Sequence, residues 1–441
     1  MAREATLGAG PTRTQAGSFC EFGFVVFLLL IFVTLRPFAL RNMSILPLGD
    51  SGNGEANIWR QVCYLGTFAL IALSSWQATG ARMLQAVPAT LAILLGWCFL
   101  SAAWAPAPDI AMRRAVLEIV IALSAMFAVT TIGSERAFTL LGYVLTGILL
   151  VNFASIALVH QAVHLGDETD RQLIGDWRGL YYHKNIAGAV TAITALLFAF
   201  RALETRQLLH WLVFAAAVAF TIMTRSKTSL ALLPVALSAG LLFRYTRRDS
   251  LERWIVAATA ASALTLAAIA ITVDFHAIER FLTDPTELTG RVAIWRGELA
   301  FIRDHPLLGS GFGSFADTGQ LSPLYNYVAD KWVQGEAHGH NAYLQLCVTI
   351  GGIGFLLAMV AFLLRPLAIF ARMERQEDVQ FYAPLFAVFV FGILHNFAES
   401  DFLEGDGPAW IAFLLVLASI HGRPQPASQH IVAQTVQWTA P

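Results

Sequence analysis

The segment Tyr343–Leu364 reads YLQLCVTIGGIGFLLAMVAFLL, and it decides the fold class. It contains no Asp, Glu, Lys or Arg, and it is as long as the roughly 20 apolar residues that a helix needs to cross a bilayer. Lipid offers the backbone no hydrogen-bond partner, so an apolar segment of this length must be helical inside a membrane. The segment therefore predicts a transmembrane helix.

Similar apolar segments recur along the whole chain. They cover residues 19–35, 58–77, 84–103, 111–132, 137–159, 186–203, 208–223, 229–243, 253–273, 381–397 and 408–421. Together they predict an all-α polytopic membrane protein with about 12 transmembrane helices. The predicted organisation is a tail at 1–18, helices within 19–273, a polar loop at 274–342, helices within 343–421 and a tail at 422–441.

The composition excludes most other classes of protein. Of the 441 residues, 56% are hydrophobic and only 13% are charged, which is too little polar surface for a soluble chain of this length. The net charge of -1 gives no electrostatic basis for binding nucleic acid. The four cysteines lie in or beside apolar segments without a CxxC spacing, so they predict neither a disulfide framework nor a metal site.

The positions of Lys and Arg in short loops predict the orientation. Arginines cluster after the eighth and the tenth predicted helices, at Arg244, Arg247, Arg248, Arg253, Arg365, Arg372 and Arg375. Both loops fall on one side, so we expect them and both tails to be cytoplasmic. The loop at 274–342 then lies on the outer face. Other basic residues also fall on that disfavoured face, which indicates either a function there or simply a solvated loop.

The outer loop contains two recognisable segments. Residues 291–303 have helical spacing, with Ile294, Leu299 and Ile302 on one predicted apolar face, which suggests a helix lying along the membrane surface. Residues 309–315 read GSGFGSF, which resembles a phosphate-binding loop. No strand precedes this segment and no Lys-Ser/Thr pair follows it, so a glycine turn that returns the chain to the membrane is the better interpretation.

Two histidines stand just before the helix at 343–364. His338 and His340 could be a metal pair, although no third ligand has a convincing spacing. They could also be solvated side chains at the membrane surface. A third interpretation is a proton acceptor, because histidine changes its protonation near neutral pH. His340 is the better placed of the two, since the helix that follows fixes its backbone.

Two shorter outer segments carry cations next to helix starts. Arg178 and Lys184 lie in the segment 176–185, and Arg225 and Lys227 lie in the segment 224–229. Such side chains can be simple anchors at the membrane surface. They can also form a clamp for an anion, because a guanidinium group bonds two phosphate oxygens and nearby hydroxyl groups complete the shell. The collected cations, histidines and aromatic residues suit a phosphorylated lipid.

These segments resemble the O-antigen ligase and Wzy-type polymerase superfamily. The resemblance is carried by Gly290-Arg291-x-x-Ile294-Trp295, Pro306-Leu-Leu-Gly309-x-Gly311-x-Gly-Ser-Phe315, His340-Asn341 followed by Gly351-x-x-Gly354, and Asn396-x-x-Glu399-Ser400. His183-Lys184-Asn185 and Ser226-Lys227-Thr228-Ser229 are most similar to the exopolysaccharide polymerase branch. The resemblance is best from about 178 to 400, and the order and spacing of the motifs make it specific.

The resemblance implies a glycosyltransferase with a GT-C-like fold in the bacterial inner membrane, with its active site on the periplasmic face. Such proteins take a glycan from undecaprenyl diphosphate and pass it to lipid A core or to another lipid-linked glycan. They use no metal or other cofactor. The resemblance implies that His340 is the catalytic base and that Arg291 binds the diphosphate together with Arg225 or Lys227. Supporting or substrate-binding roles fall on His338, Asn341, His183, Lys184, Asn185 and Arg178.

A transporter or flippase for lipid-linked oligosaccharide is the alternative from another class. Transporters usually carry ionisable residues or broken helices near the middle of the membrane. The predicted helices here are nearly free of such residues, and Glu118 and Asn152 are the exceptions. Neither has a counterpart in an inverted repeat, so the glycosyltransferase is the preferred interpretation.

Overall fold

A computed structural model describes residues 15–35, 37–38, 58–165, 173–246, 291–316, 318–328, 339–373 and 376–422. Within these ranges the chain is helical, and its only strand-like feature is an isolated bridge between Val163 and Trp177. The predicted helix at 253–273 lies outside the described residues, as do parts of the loop at 274–342. The total of 12 helices and the proposed boundaries therefore stay predictions.

Each predicted apolar segment in the described part of the chain forms a helix. The helices are α1 (Gln15–Phe32), α2 (Ile58–Thr79), α3 (Ala89–Leu100), α4 (Pro108–Ile132), α5 (Ser134–Leu158), α6 (Lys184–Thr205), α7 (Leu208–Thr224), α8 (Lys227–Thr246), α9 (Arg291–Asp304), α10 (Ala342–Met359), α11 (Arg365–Ala371), α12 (Gln376–His395) and α13 (Pro408–His421). A π-helical turn at Val360–Leu364 joins α10 to α11. Among the described residues, seven helices are long and apolar enough to cross a membrane. The multi-pass, all-helical fold is thus confirmed.

Helices α6 and α13 form the centre of the bundle, because they are buried on nearly every side. Aromatic side chains fill the space around α13: the ring centroids of Phe362 and Trp410 lie 5.1 Å apart, and those of Phe402 and Phe413 lie 5.3 Å apart. Peripheral helices instead expose large apolar side chains such as Leu73 and Leu150, as expected of surfaces that face lipid.

Helix α9 confirms the predicted helix at 291–303 but not its predicted face. Leu299 is 55% exposed, whereas Ile294, Glu298 and Phe301 are buried. These three residues follow the i, i+4, i+7 spacing of one helical stripe. Their stripe packs on residues of the following loop and of α10, including Val348. Because Glu298, a residue that hydrophobicity assigns to the solvent-exposed side, lies at the centre of this stripe, the hydrophobic pattern of the sequence does not predict the buried face.

The glycine-rich segment at 309–315 is a turn packed against α10, as the glycine-turn interpretation predicts. Gly309, Gly311 and Gly313 all have positive φ, which favours glycine. Ser310 donates a backbone hydrogen bond to Val348. Gly351, at a kink in α10 with φ 69°, lies so close to Leu307 that a Cβ atom would collide with its carbonyl.

Candidate active site

His340 is held at the entrance to α10 by its neighbours. Asn341 caps the helix, because its Oδ1 accepts from the backbone N–H groups of Tyr343 and Leu344 at 3.1 Å each. The Asn341 N–H donates to Oγ of Ser400 at 3.0 Å. His340 itself has φ 50°, a left-handed conformation that non-glycine residues adopt mostly where surrounding structure enforces it. On its other side, the carbonyl of Gly339 accepts from Nε1 of Trp295 at 2.7 Å, so the backbone is held both before and after His340.

A carboxylate links His340 to the start of α6. Nδ1 of His340 lies 3.1 Å from Oε2 of Glu399, and Oε1 of Glu399 accepts from Nδ2 of Asn185 at 2.6 Å. An ionised carboxylate only accepts hydrogen bonds, so the proton of the neutral imidazole belongs on Nδ1. Nε2 then carries the lone pair. This is the arrangement of a histidine that can take a proton while its partner stabilises the resulting charge.

His183 is near this pair but suits a different role. It caps α6, and its Nδ1 accepts from the Asn185 N–H at 3.2 Å. Burial lowers the pKa of His183 to about 3, which outweighs the opposing effect of Glu399. A histidine with this pKa is a weak base at neutral pH, so His340 is the better candidate for proton transfer.

Asp176 brings two of the predicted cations together. Its side chain is 1% exposed, and it accepts from Nζ of Lys184 at 2.6 Å and from a guanidinium nitrogen of Arg225 at 3.3 Å. One carboxylate between two cations leaves the cluster with excess positive charge. Arg225 ends α7 in a left-handed conformation and is 67% exposed, so its remaining nitrogen atoms can reach a ligand.

The other predicted site residues have distinct surroundings. Arg178 is buried, and it donates to the backbone carbonyls of Gln161 at 2.6 Å and Tyr182 at 3.0 Å, which braces the loop before α6. Lys227 is exposed at the first residue of α8. His338 and the side chain of Arg291 lie outside the described residues.

A second polar network, which the sequence did not reveal, ties α8 to the end of α12. Nε2 of His395 lies 3.4 Å from Oγ of Ser229, and Nδ1 of His395 lies 2.7 Å from Oδ2 of Asp401. Ser229 and His395 are almost fully buried, which keeps them from a substrate. Asp401 is next to Ser400, so the network fixes the segment that also holds Glu399. Only the recurrence of polar residues over 395–401 hinted at it.

A cavity of about 560 Å³ opens next to the segment that follows Glu399. Its wall includes Ser400 and Asp401 from the segment after Glu399, Tyr182 from the segment before α6, and Gln345 and Thr349 from α10. This volume is within the range of roughly 300–1,000 Å³ that small-molecule sites occupy. Ser400, which lines the cavity, also accepts a hydrogen bond from the N–H of Asn341, the residue after His340.

The two polar residues in the predicted membrane segments have structural partners. Glu118 accepts from Nε1 of Trp410 at 2.7 Å and from the N–H of Gly405 at 2.8 Å. Oδ1 of Asn152 accepts from the N–H of Leu180 at 2.9 Å. Both side chains therefore anchor loops at the same end of the bundle, which does not favour the transporter interpretation.

Part of the chain that contains these residues is similar to a known protein family. Residues 212–359 match the family model Wzy_C, described as O-Antigen ligase. This segment, about a third of the chain, is similar to the O-antigen ligase family. The match confirms the resemblance to the O-antigen ligase and Wzy-type family, and it includes Arg225, Lys227, Arg291 and His340. Asn185 and Glu399 lie outside the matched residues; Glu399 contacts His340 within them, and Asn185 contacts Glu399. No curated protein gives a significant match to the chain.

Proposed function

We propose that this protein is a glycosyltransferase of the bacterial inner membrane. It moves a glycan from undecaprenyl diphosphate to a sugar hydroxyl group on the periplasmic face. The acceptor is lipid A core, as for an O-antigen ligase, or another lipid-linked glycan, as for a polymerase. The observation that supports this proposal best is the Glu399 bridge, which joins His340 to the cation-bearing start of α6 within a membrane protein that is similar to the O-antigen ligase family over residues 212–359.

His340 acts as the base in the proposed reaction. The acceptor oxygen forms a bond to the anomeric carbon of the donor, and the bond from that carbon to the diphosphate oxygen breaks, with its electron pair leaving on the diphosphate. The acceptor proton goes to Nε2 of His340. Glu399 accepts from Nδ1 and stabilises the imidazolium that forms. Attack by one acceptor opposite the leaving group inverts the anomeric centre.

The cations hold the leaving group. A diphosphate needs no proton to depart if positive charge compensates the charge that develops on it. Arg225 provides a guanidinium fork at the exposed edge of the Asp176 cluster, and Lys184 adds charge behind it. Arg291 and Lys227 are proposed as further contacts. These protein cations make a metal unnecessary for this step, so we expect transfer to be insensitive to chelators.

The decisive experiment separates the chemical step from donor binding. The full chain in lipid nanodiscs is given an undecaprenyl-diphosphate-linked glycan, and both transfer and donor binding are measured. His340→Ala should lose transfer by about 100-fold or more while it binds the donor normally, because only proton removal is lost. His210→Ala is the matched control, since His210 lies in the first turn of α7, next to the end of α6 that is opposite Lys184. Full activity in His340→Ala would refute the assignment.

A further inference from the structure

The hydrogen bond of the His183 ring determines which of its nitrogen atoms carries the proton. Nδ1 of His183 accepts from the backbone N–H of Asn185 at 3.2 Å. A backbone N–H group only donates, so Nδ1 must present its lone pair, and the single proton of the neutral ring belongs on Nε2. His164, whose ring centroid lies 5.6 Å away, is neutral for the same reason, because its Nε2 accepts from the N–H of Lys184 at 3.2 Å. Two neutral imidazoles thus cap two successive N–H groups of α6.

The Nε2–H group of His183 is available to a ligand. Within the described part of the chain Nε2 has no hydrogen-bond partner, and it is not sealed from solvent, because the side chain is only partly buried. Burial lowers the pKa of His183 to about 3, so the ring keeps this arrangement of its proton throughout the neutral range. His183 therefore presents a fixed, uncharged donor to whatever binds beside it.

This donor is close to both groups that the proposed reaction uses. Four titratable side chains are near enough for their charges to affect the His183 ring: Glu399, His164, His340 and Lys184. Lys184 belongs to the cation cluster at Asp176, which holds the diphosphate in the proposed reaction, and His340 is the proposed base. The bond that breaks joins the glycan, attacked by the acceptor at the base, to the diphosphate at the cations. A donor near both is suited to the oxygen atom of that bond.

We propose that His183 is a second catalytic residue, whose Nε2–H donates a hydrogen bond to the oxygen that links the glycan to the diphosphate. This inference rests on the proposed function, because it adds a contact within the same reaction. As the bond between the anomeric carbon and this oxygen breaks, its electron pair moves onto the oxygen. The N–H group stabilises the growing negative charge and keeps its proton, while the acceptor proton goes to His340. A neutral imidazole at a helix N-terminus is suited to this kind of stabilisation.

Two substitutions separate the proposed donor from the cap of α6. Asparagine can replace Nδ1 as the cap but does not extend to the position of Nε2, whereas the amide of glutamine extends to Nε2 but is a poor cap. In nanodiscs with an undecaprenyl-diphosphate-linked glycan, His183→Asn should lower kcat about 100-fold without changing the melting temperature. His183→Gln should melt at a lower temperature and still be about tenfold more active than His183→Asn. Normal kcat in His183→Asn, or equal kcat in the two variants, would reduce His183 to a structural cap.

A second test measures the contact with the leaving group without transfer. Binding of undecaprenyl diphosphate and of undecaprenyl alcohol to the full chain is compared in nanodiscs that contain no acceptor. His183→Asn should weaken the binding of the diphosphate about tenfold, because a hydrogen bond to a charged oxygen is lost, and should not affect the alcohol. His160→Asn is the matched control, since His160 is exposed just after α5. Equal binding of both probes by the wild-type protein would contradict the proposed function and this inference with it, whereas diphosphate binding that His183→Asn leaves intact would contradict this inference alone.

Discussion

At the scale of single residues, the pair of His340 and Glu399 makes a specific prediction. Glu399→Gln keeps the shape of the side chain but removes the charge that stabilises the imidazolium, and its amide can impose the wrong tautomer on the ring. We expect kcat to fall by about 100-fold or more with little change in the donor KM. Glu204→Gln, an exposed substitution near the end of α6, is the control. A variant whose KM rises while kcat is unchanged would assign Glu399 to substrate binding.

The contributions of Arg225 and Lys227 to diphosphate binding can be distinguished by comparing the activities of variants at the two positions. Arg225 is anchored by Asp176, whereas Lys227 is exposed at the start of α8. Because an anchored guanidinium group presents a fixed fork to phosphate, Arg225→Ala should cost about 100-fold in kcat/KM. Arg225→Lys should recover only part of this loss. Lys227→Ala should be milder, and the reverse order would make Lys227 the principal diphosphate contact.

The sequence suggests candidate site residues but not the residues that they contact. His340, Lys184 and Asn185 stand out because they are polar residues next to apolar helices. Their partners are distant in the chain: Glu399 is 214 residues from Asn185 and 59 residues from His340. Asp176 and His395 have no local pattern that distinguishes them from ordinary polar residues. Their roles depend on which helix ends meet, and the packing of the bundle alone decides that.

At the scale of elements, the kink in α10 should be essential for folding. Gly351 has φ 69°, and a Cβ atom there would collide with the backbone of Leu307. Gly351→Ala should therefore destabilise the protein by roughly 1–3 kcal/mol or more, visible as a lower melting temperature in detergent. Gly147→Ala in α5 is the control, because an added Cβ atom there meets nothing within 4 Å. Equal melting temperatures for the two variants would show that the kink tolerates a side chain.

Helix α9 should make stability depend on pH through Glu298. Burial raises the pKa of Glu298 to about 8, and its Oε2 has no hydrogen-bond partner among the described residues. An unfolded glutamate has a pKa of about 4.3, so between these values the folded state holds a proton that the unfolded state releases. Stability is therefore greatest below the unfolded pKa and decreases as the pH rises toward 8.

Glu298→Gln tests this prediction, because it imitates the protonated side chain. Melting temperatures from pH 5 to 8.5 should decrease less steeply in the variant than in the wild-type protein. Among the described residues, Cys347 on α10 is a titratable group whose pKa Glu298 influences, and it remains in the variant. The difference between the two slopes thus reports Glu298. Identical slopes would show that the carboxyl group is ionised at a lower pH than its burial implies.

Hydropathy located the helices but not their contacting faces. The apolar segment at 208–223 matches α7, and that at 408–421 matches α13, almost to the residue, because lipid requires continuous apolar helices of limited length. Which side of each helix packs inward is a separate question. Lipid is as apolar as the helix surface, so hydrophobicity does not distinguish a lipid-facing side from a buried one. Close packing of small residues does distinguish the two sides, and Gly188, which lies against Ser226, is an example.

At the scale of the whole molecule, the helix ends define two faces. Helix α6 starts at the site with Lys184 and ends at Thr205, and α7 returns to the site, where the carbonyl of Met223 accepts from the Trp177 N–H at 3.1 Å. The turn that contains Gln207 is therefore on the face opposite the site. Gln320 lies in the segment after the glycine-rich turn, whose residues pack on α9 near His340. Both glutamines are exposed.

The predicted orientation places Gln320 in the periplasm and Gln207 in the cytoplasm. In intact cells, a membrane-impermeant thiol reagent should label Gln320→Cys at once and Gln207→Cys only after the membrane is permeabilised. The unsubstituted chain measures the background from its own cysteines, of which Cys20 and Cys98 are buried. If only Gln207→Cys were labelled in intact cells, the orientation of the protein in the membrane would be the reverse of the predicted one. In that reversed orientation His340 and the cations would lie on the cytoplasmic face, where they could not reach a donor presented in the periplasm. Labelling of both positions would contradict the bundle itself, because two faces separated by membrane-spanning helices cannot both be accessible from one side.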